Sequence, residues 1–289
     1  MGQNACMSEI VEWIDSLVEQ REVSPATLRV LEVLKDDPGG TFPLSAQKVA
    51  TFARVNVASV VRAAQFLGFS GWSEMKQEVR HRYLATLSGD QLLRNRGTSG
   101  NSPSRSSMMA DVKNLHDFVA RADDTQFRRI AELISEANRS MVLATGSYAA
   151  PGLQLTHIGQ SLGHDLELHM AMSTALASRL RLLKAGDCII SCALWRSSSW
   201  ILETTRVAKK RGAKVIVISD RRTALSDLAD ESVIVPSESV SYVRSMTAAM
   251  TVTQAVIAEL AALDPDRSAM NLMDVEEIWK ELNLVEPTD

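Results

Sequence analysis

The sequence is short of cysteine, of net positive charge and of long apolar runs, and each shortage removes a class of function. Three cysteines, Cys6, Cys188 and Cys192, occur in 289 residues. That is too few for a disulfide framework and suits a reducing compartment. Cys188 and Cys192 fall in an apolar run without a cluster of His, Asp or Glu at ligand spacing, so they read as core residues rather than metal ligands. His157, His164 and His169 also lack metal spacing. No metal and no cofactor is expected. No apolar stretch approaches the roughly 20 residues of a membrane helix, and the N-terminus lacks the basic start and apolar core of a signal peptide. A cytoplasmic protein with no membrane partner is the expectation. The net charge of −4 argues against a non-specific polyanion binder.

Against that background, Ser45 to Met75 reads as a helix-turn-helix, a shape whose second helix fits the DNA major groove. The first helix would run from Ser45 to Ala53, with Ala46, Val49, Ala50 and Ala53 on one apolar face. Arg54 and Val55 form the turn, Asn56 caps the second helix, and Val57, Val60, Val61, Ala64 and Leu67 make its inward stripe before Gly68 stops it. Ser59, Arg62 and Phe66 lie opposite. The competing reading is any two short helices with a tight connection. A local basic excess favours the first: Lys48, Arg54 and Arg62 stand against Glu74, followed by Lys76, Arg80 and Arg82. The expected partner is a double-stranded DNA operator, contacted by Lys48, Asn56, Ser59, Arg62, Phe66 and Lys76.

Composition divides the chain. Residues 1–87 read as an all-α DNA-binding head, with helices over Glu9–Gln20, from Ser24-Pro25 onward, through the helix-turn-helix, and over Ser73–Leu87, where Met75, Val79, Tyr83 and Leu87 form one seam. Residues 88–107, rich in Ser, Gly and Asn, read as a flexible linker. From 108 to 289 strands alternate with helices. Apolar runs at Met141–Thr145, Asp165–His169, Asp187–Ala193, Lys214–Ser219 and Ser232–Pro236 predict a five-stranded parallel sheet flanked by helices. Helix Val240–Leu263 carries small and apolar residues on more than one face, which predicts a second covering surface and a dimer through this half. The acidic tail around Leu272, Ile278, Trp279 and Leu282 reads as an amphipathic helix docked on a neighbouring surface.

The head, with Ser24-Pro25, Val60-Val61-Arg62, Leu67-Gly68-Phe69-Ser70-Gly71-Trp72 and Met75-Lys76, resembles the DNA-binding domain of the RpiR family of bacterial transcriptional regulators. The second half resembles the SIS (sugar isomerase) domain that these regulators carry as effector sensor. The resemblance implies a homodimer or tetramer. Two departures stand out. The family commonly has Gly in the turn where this sequence has Arg54, and a basic residue at Phe66. The phosphate-wrapping loop Ser-x-Ser-Gly-x-Thr is replaced here by Ala193-Leu194-Trp195-Arg196-Ser197-Ser198, which loses two hydroxyls and the glycine and brings in an arginine suited to a carboxylate or phosphate.

Ligands of open parallel sheets sit beyond the carboxyl ends of the strands, where strand order reverses. The candidate effector residues are accordingly Gly146, Ser147 and Tyr148 after the first strand, Arg196, Ser197, Ser198 and Ser199 after the third, and Glu238 after the fifth. Ser197 to Ser199 read equally as helix caps, and Trp195 and Trp200 as packing residues. The expected function is a regulator that answers to a small anionic effector, a sugar phosphate or another small acid. Two alternatives are open. One is a sugar-phosphate isomerase, for which Glu238 is the obvious base; the other is a regulator whose second half only dimerises.

Overall fold

The computed structural model describes residues 2–19, 21–95, 102–195, 198–240 and 243–284. The chain divides into two compact units, Met1–Gly97 and Thr98–Asp289.

The first unit is all helix: α1 (Gly2–Val18), α2 (Pro25–Asp36), α3 (Pro38–Thr41), α4 (Ala46–Phe52), α5 (Val57–Phe66), α6 (Trp72–Thr86) and α7 (Gly89–Asn95). Its boundaries follow from capping chemistry. Ser24 accepts from the Thr27 amide at 3.2 Å with Pro25 opening α2, Ser45 accepts from Lys48, and Asn56 accepts from the Ser59 amide at 2.8 Å. Each bond satisfies an amide that the first turn leaves without a partner. Arg54 takes φ +52° in the α4–α5 turn, the left-handed region that glycine occupies most easily, and Gly68 at φ +94° ends α5. The core gathers Ile10 and Ile14 from α1, Val30, Leu31 and Leu34 from α2, Val49 and Ala50 from α4, Val60, Ala63 and Ala64 from α5, and Trp72, Met75 and Val79 from α6.

Two expectations for this unit are corrected. The inward stripe of α5 is rotated: Ser59 and Ala63 are buried, while Val57 and Val61 are half-buried. The stretch 88–107 is helical at both ends, since α7 buries Leu92 and Ser102 caps a helix starting at Pro103. Serine before a helix supplies a capping oxygen, so Ser-rich composition marks a helix start here as well as a loop. Residues 96–101 of that stretch lie outside the described residues.

The second unit runs α8 (Pro103–Val119), α9 (Asp124–Ser135), β1 (Ser140–Leu143), a 3₁₀ turn (Gly146–Ala149), α10 (Ala150–Ser161), β2 (Leu166–His169), α11 (Thr174–Leu180), β3 (Cys188–Ala193), α12 (Ser199–Lys210), β4 (Lys214–Ser219), β5 (Glu231–Ile234), α13 (Thr247–Leu263) and α14 (Pro265–Glu281). All strands are parallel, in the order β2-β1-β3-β4-β5. Residues alternate between the two faces. Val142, Cys188, Ile190, Cys192, Ile216 and Ile218 pack under α9, α10 and α13, whereas Met141, Leu143, Ile189, Val215 and Val217 pack under α11 and α12. Both cysteines are core residues, and burial pushes their thiols up to about 12, which leaves them uncharged and inert.

The helix expected from Val240 begins at Thr247. Its extra apolar surface is covered within the unit, because α13 lies against α8, α9, α10 and α14 as well as the sheet. It therefore does not call for a second subunit. Apolar side chains are left exposed on α8, at Met108, Met109 and Val112, and on α14, at Met270, Met273 and Ile278, with Leu282 just past its end. Helix α14 is tied down by polar bonds instead, from Arg267 to the Gly163 carbonyl and from Asn271 to the Leu162 carbonyl. No described helix is long and apolar enough to cross a membrane.

Candidate functional site

In the head, α4, α5 with its capping Asn56, and α6 carry the residues expected to meet DNA, and the structure sorts them into two groups. Lys48, Asn56 and Arg62 are exposed. Ser59 is not: it is 6% exposed, which corrects its expected place on the outward face. Its hydroxyl donates to Asn56 Oδ1 at 3.0 Å and accepts from Arg62 Nη2 at 3.0 Å. Asn56, Ser59 and Arg62 thus form one hydrogen-bonded chain along the first two turns of α5. Phe66 packs partly against the head core and is covered by the Arg21 guanidinium, 4.0 Å from the ring centroid. Lys76 is half-buried and donates to the Pro43 carbonyl at 3.3 Å. Phe66 and Lys76 are therefore held against the head rather than standing free on the reading face. Sequence reasoning gives no sign of Arg21 as a partner of Phe66, since a contact from the segment between α1 and α2 leaves no mark in the periodicity of α5.

In the second unit, the carboxyl ends of β1, β3, β4 and β5 form a polar rim. Gly146, at φ +57°, and Ser147 are exposed in the 3₁₀ turn after β1. Tyr148 turns inward; its ring meets the Trp195 ring edge-on with centroids 6.1 Å apart, and its hydroxyl accepts from the Arg244 amide at 2.9 Å. Trp195 has φ +62°, a strained conformation for a bulky residue, in the loop after β3. Ser198 occupies the N-cap position of α12, yet its side chain makes no capping bond, and Ser199 is exposed. Arg196 and Ser197 lie outside the described residues.

Glu238 is ion-paired. Its carboxylate lies 3.3 Å from Nη1 of Arg244, whose side chain is only 2% exposed, and its carbonyl accepts from Asn114 Nδ2 at 2.8 Å. Ser237 is fully buried and donates to Asp220 Oδ2 at 2.9 Å, while the Ser245 amide donates to the Ser237 carbonyl at 3.1 Å. The segment from Ser237 to Ser245 is thus clasped to β4, to α8 and to the Tyr148 turn. Arg244, Asp220 and Asn114 were not picked out from sequence. A lone basic residue in a serine-rich stretch was the available signal for Arg244; Asn114 gave none. The rim sets the exposed turn at Gly146 and Ser147 and the start of α12, positions that favour an anion, beside an aromatic pair. No group of three metal-ligating side chains occurs among the described residues.

Comparison with known proteins agrees with this fold. Residues 9–86 match the helix-turn-helix domain of the rpiR family, and residues 133–259 match the SIS domain. An uncharacterised HTH-type transcriptional regulator of Caldanaerobacter subterraneus subsp. tengcongensis is 23% identical over 245 residues, covering 79% of this chain and 82% of that protein. The sugar isomerase domain of an RpiR transcription factor from Sphaerobacter thermophilus superposes with a TM-score of 0.57 at 22% identity, over 59% of this chain and 96% of that one. The Vibrio vulnificus NanR protein, solved in complex with ManNAc-6P, covers 94% of this chain and 98% of its own at a TM-score of 0.60 and 16% identity. With both domains present and in that order, the chain belongs to the RpiR family of helix-turn-helix regulators, its DNA-binding head followed by a SIS domain.

Proposed function

We propose that this protein is an effector-responsive transcriptional regulator of the bacterial cytoplasm. The head binds a double-stranded operator through α5, and a small anionic effector, a sugar phosphate or another small acid, binds at the rim of the SIS sheet and changes that binding. The carrying observation is the exposed Arg62, which projects from a capped recognition helix of a helix-turn-helix and has no carboxylate partner among the described residues. The sugar-phosphate class is supported by the relative solved with ManNAc-6P and by the exposed turn at Gly146 and Ser147 together with the α12 start, where Ser198 makes no side-chain capping bond. Assembly as a homodimer or tetramer is supported by the uncovered apolar side chains of α14. The isomerase alternative is weakened, because Glu238 is engaged by Arg244 rather than free to accept a substrate proton.

The effector acts by shifting the population between two arrangements of the assembly that present the heads differently to two half-sites. A duplex selected by the full-length protein from a randomised pool provides the probe. Thermal shift against sugar phosphates, sugar acids and small carboxylates, followed by DNA titration with each hit, tests the reading. The expected result is at least one anion that raises the melting midpoint and changes the affinity for the duplex. Failure to retain any duplex sinks the regulator; retention without any effector leaves the SIS half as a dimerisation unit; turnover of a sugar phosphate restores the enzyme.

A further inference from the structure

Arg62 lies in the second turn of α5, whereas base contacts in helix-turn-helix proteins come mainly from the start of the recognition helix. The structure resolves this mismatch through the direction of the side chain. In a helix, long side chains lean toward the N-terminus and meet residues three and four positions earlier. Arg62 does so, and its Nη2 donates to Ser59 Oγ at 3.0 Å. Ser59 is in turn held twice by the capping residue, its amide and its hydroxyl both donating to Asn56 Oδ1 at 2.8 and 3.0 Å. The guanidinium is thereby drawn back over the first turn of α5.

A guanidinium carries five N–H donors and accepts nothing. One donor goes to Ser59, and the others have no partner among the described residues. The hydroxyl is neutral, so the arginine keeps its full charge. A serine with one proton already directed at Asn56 presents its lone pairs to Arg62, which sets the polarity of the chain: Arg62 to Ser59 to Asn56. The fork is then restrained before DNA arrives, and a restrained fork loses less side-chain entropy on making a two-point contact.

We propose that Ser59 and Asn56 are positioning residues for Arg62, and that the pre-oriented Arg62 specifies a guanine in each operator half-site. Guanine is the base whose major-groove edge offers two acceptors, O6 and N7, to a paired donor. The inference rests on the regulator reading above and adds the base and the residues that aim the side chain at it. Ser59, buried and facing α5 itself, contributes nothing to the DNA directly.

The experiment uses full-length protein and the duplex it selects from a randomised pool, together with a copy in which each candidate guanine–cytosine pair is replaced by adenine–thymine. Wild-type protein is expected to prefer the guanine duplex by roughly tenfold or more at one position per half-site, the scale of one bidentate base contact. Ser59→Ala removes the anchor with little change of volume. It is expected to reduce that preference by several-fold while the melting midpoint of the head and the binding of a scrambled duplex stay near wild type. Arg62→Lys keeps the charge without the fork and should lose the preference outright. In the double variant Ser59→Ala, Arg62→Ala, the loss should equal that of Arg62→Ala alone, because Ser59 acts through Arg62. An unchanged guanine preference in Ser59→Ala overturns the positioning role, and a preference that survives Arg62→Lys and Arg62→Ala overturns the base assignment. If wild-type protein selects no sequence, the regulator reading itself fails.

Discussion

In the head, Arg62 stands exposed and is steadied by a neutral hydroxyl, whereas in the SIS half Arg244 is buried and paired with the Glu238 carboxylate. The first arrangement fixes a direction and leaves the charge available to a partner. The second neutralises the charge within the fold and uses it to hold a loop, since removing an arginine from water is tolerable only beside a compensating anion. On the proposed reading the same residue type serves recognition in one region and scaffolding in the other, and what separates the two arrangements is the charge of the group it touches together with its burial.

If that contrast is right, removing Arg244 has the largest effect on stability. Arg244→Ala leaves Glu238 without its cation and loosens the segment clasped to Tyr148, at a cost of about 3 kcal/mol in the SIS transition. Denaturant unfolding of the full chain measures this. A change under about 1 kcal/mol, smaller than one ordinary hydrogen-bond deletion, would mean that the ion pair is incidental.

Arg62→Ala is expected to do the opposite. It should cost about 1 to 3 kcal/mol of operator affinity and almost nothing in folding. Gel-shift titration alongside circular dichroism separates the two, and wild-type affinity in this variant would break the comparison from the side of the head.

Asn56→Ala sits between the cases, because Asn56 is both the cap of α5 and the end of the chain that aims Arg62. The head should lose about 1 kcal/mol of stability, and the guanine preference should fall along with it. A stable variant with unchanged specificity would show that the cap does neither job.

The smallest effect concerns pH. Burial holds His164 and His169 below their ordinary value of 6.5; the Arg267 charge adds to this at His164, while at His169 Glu167 opposes it and Arg179 assists it. A folded-state value below the unfolded one favours the folded state at high pH, so the SIS half should lose stability as pH falls through about 6.5 toward the folded values. Melting midpoints recorded from about pH 7.5 to 5.5 read the slope, which His169→Gln should reduce. A flat profile in wild type would show that neither histidine is held neutral by the fold.

The elements were largely legible because their signals are local. Ser24, Ser45 and Asn56 are capping residues that act within three positions, and the runs ending in Ala193 and Ser219 are buried on both faces and so read as unbroken apolar stretches. The helix-turn-helix and the five strands follow from such patterns, whereas the strand order, with its reversal beside β1, comes from the fold. The start of α13 at Thr247 is not legible locally, because residues before it such as Ser237 and Arg244 are held by partners in other elements.

The side chains that form the sites belong to another category. Ser59 is three residues beyond its cap, and a polar residue there is expected to face outward until the packing of α5 turns it toward Asn56. Phe66 looks free until Arg21 arrives from the segment between α1 and α2. Glu238 looks like a candidate base until Arg244 neutralises it and Asn114, 124 residues away in sequence, holds its carbonyl. By itself, then, the sequence determined the two domains, their order and the strand and helix periods, since these depend on hydrogen bonds and apolar faces repeated along a continuous chain. Only the tertiary structure decided which polar groups keep their charge for a partner and which are neutralised inside, because the field at each group comes from residues that folding brings together from distant positions.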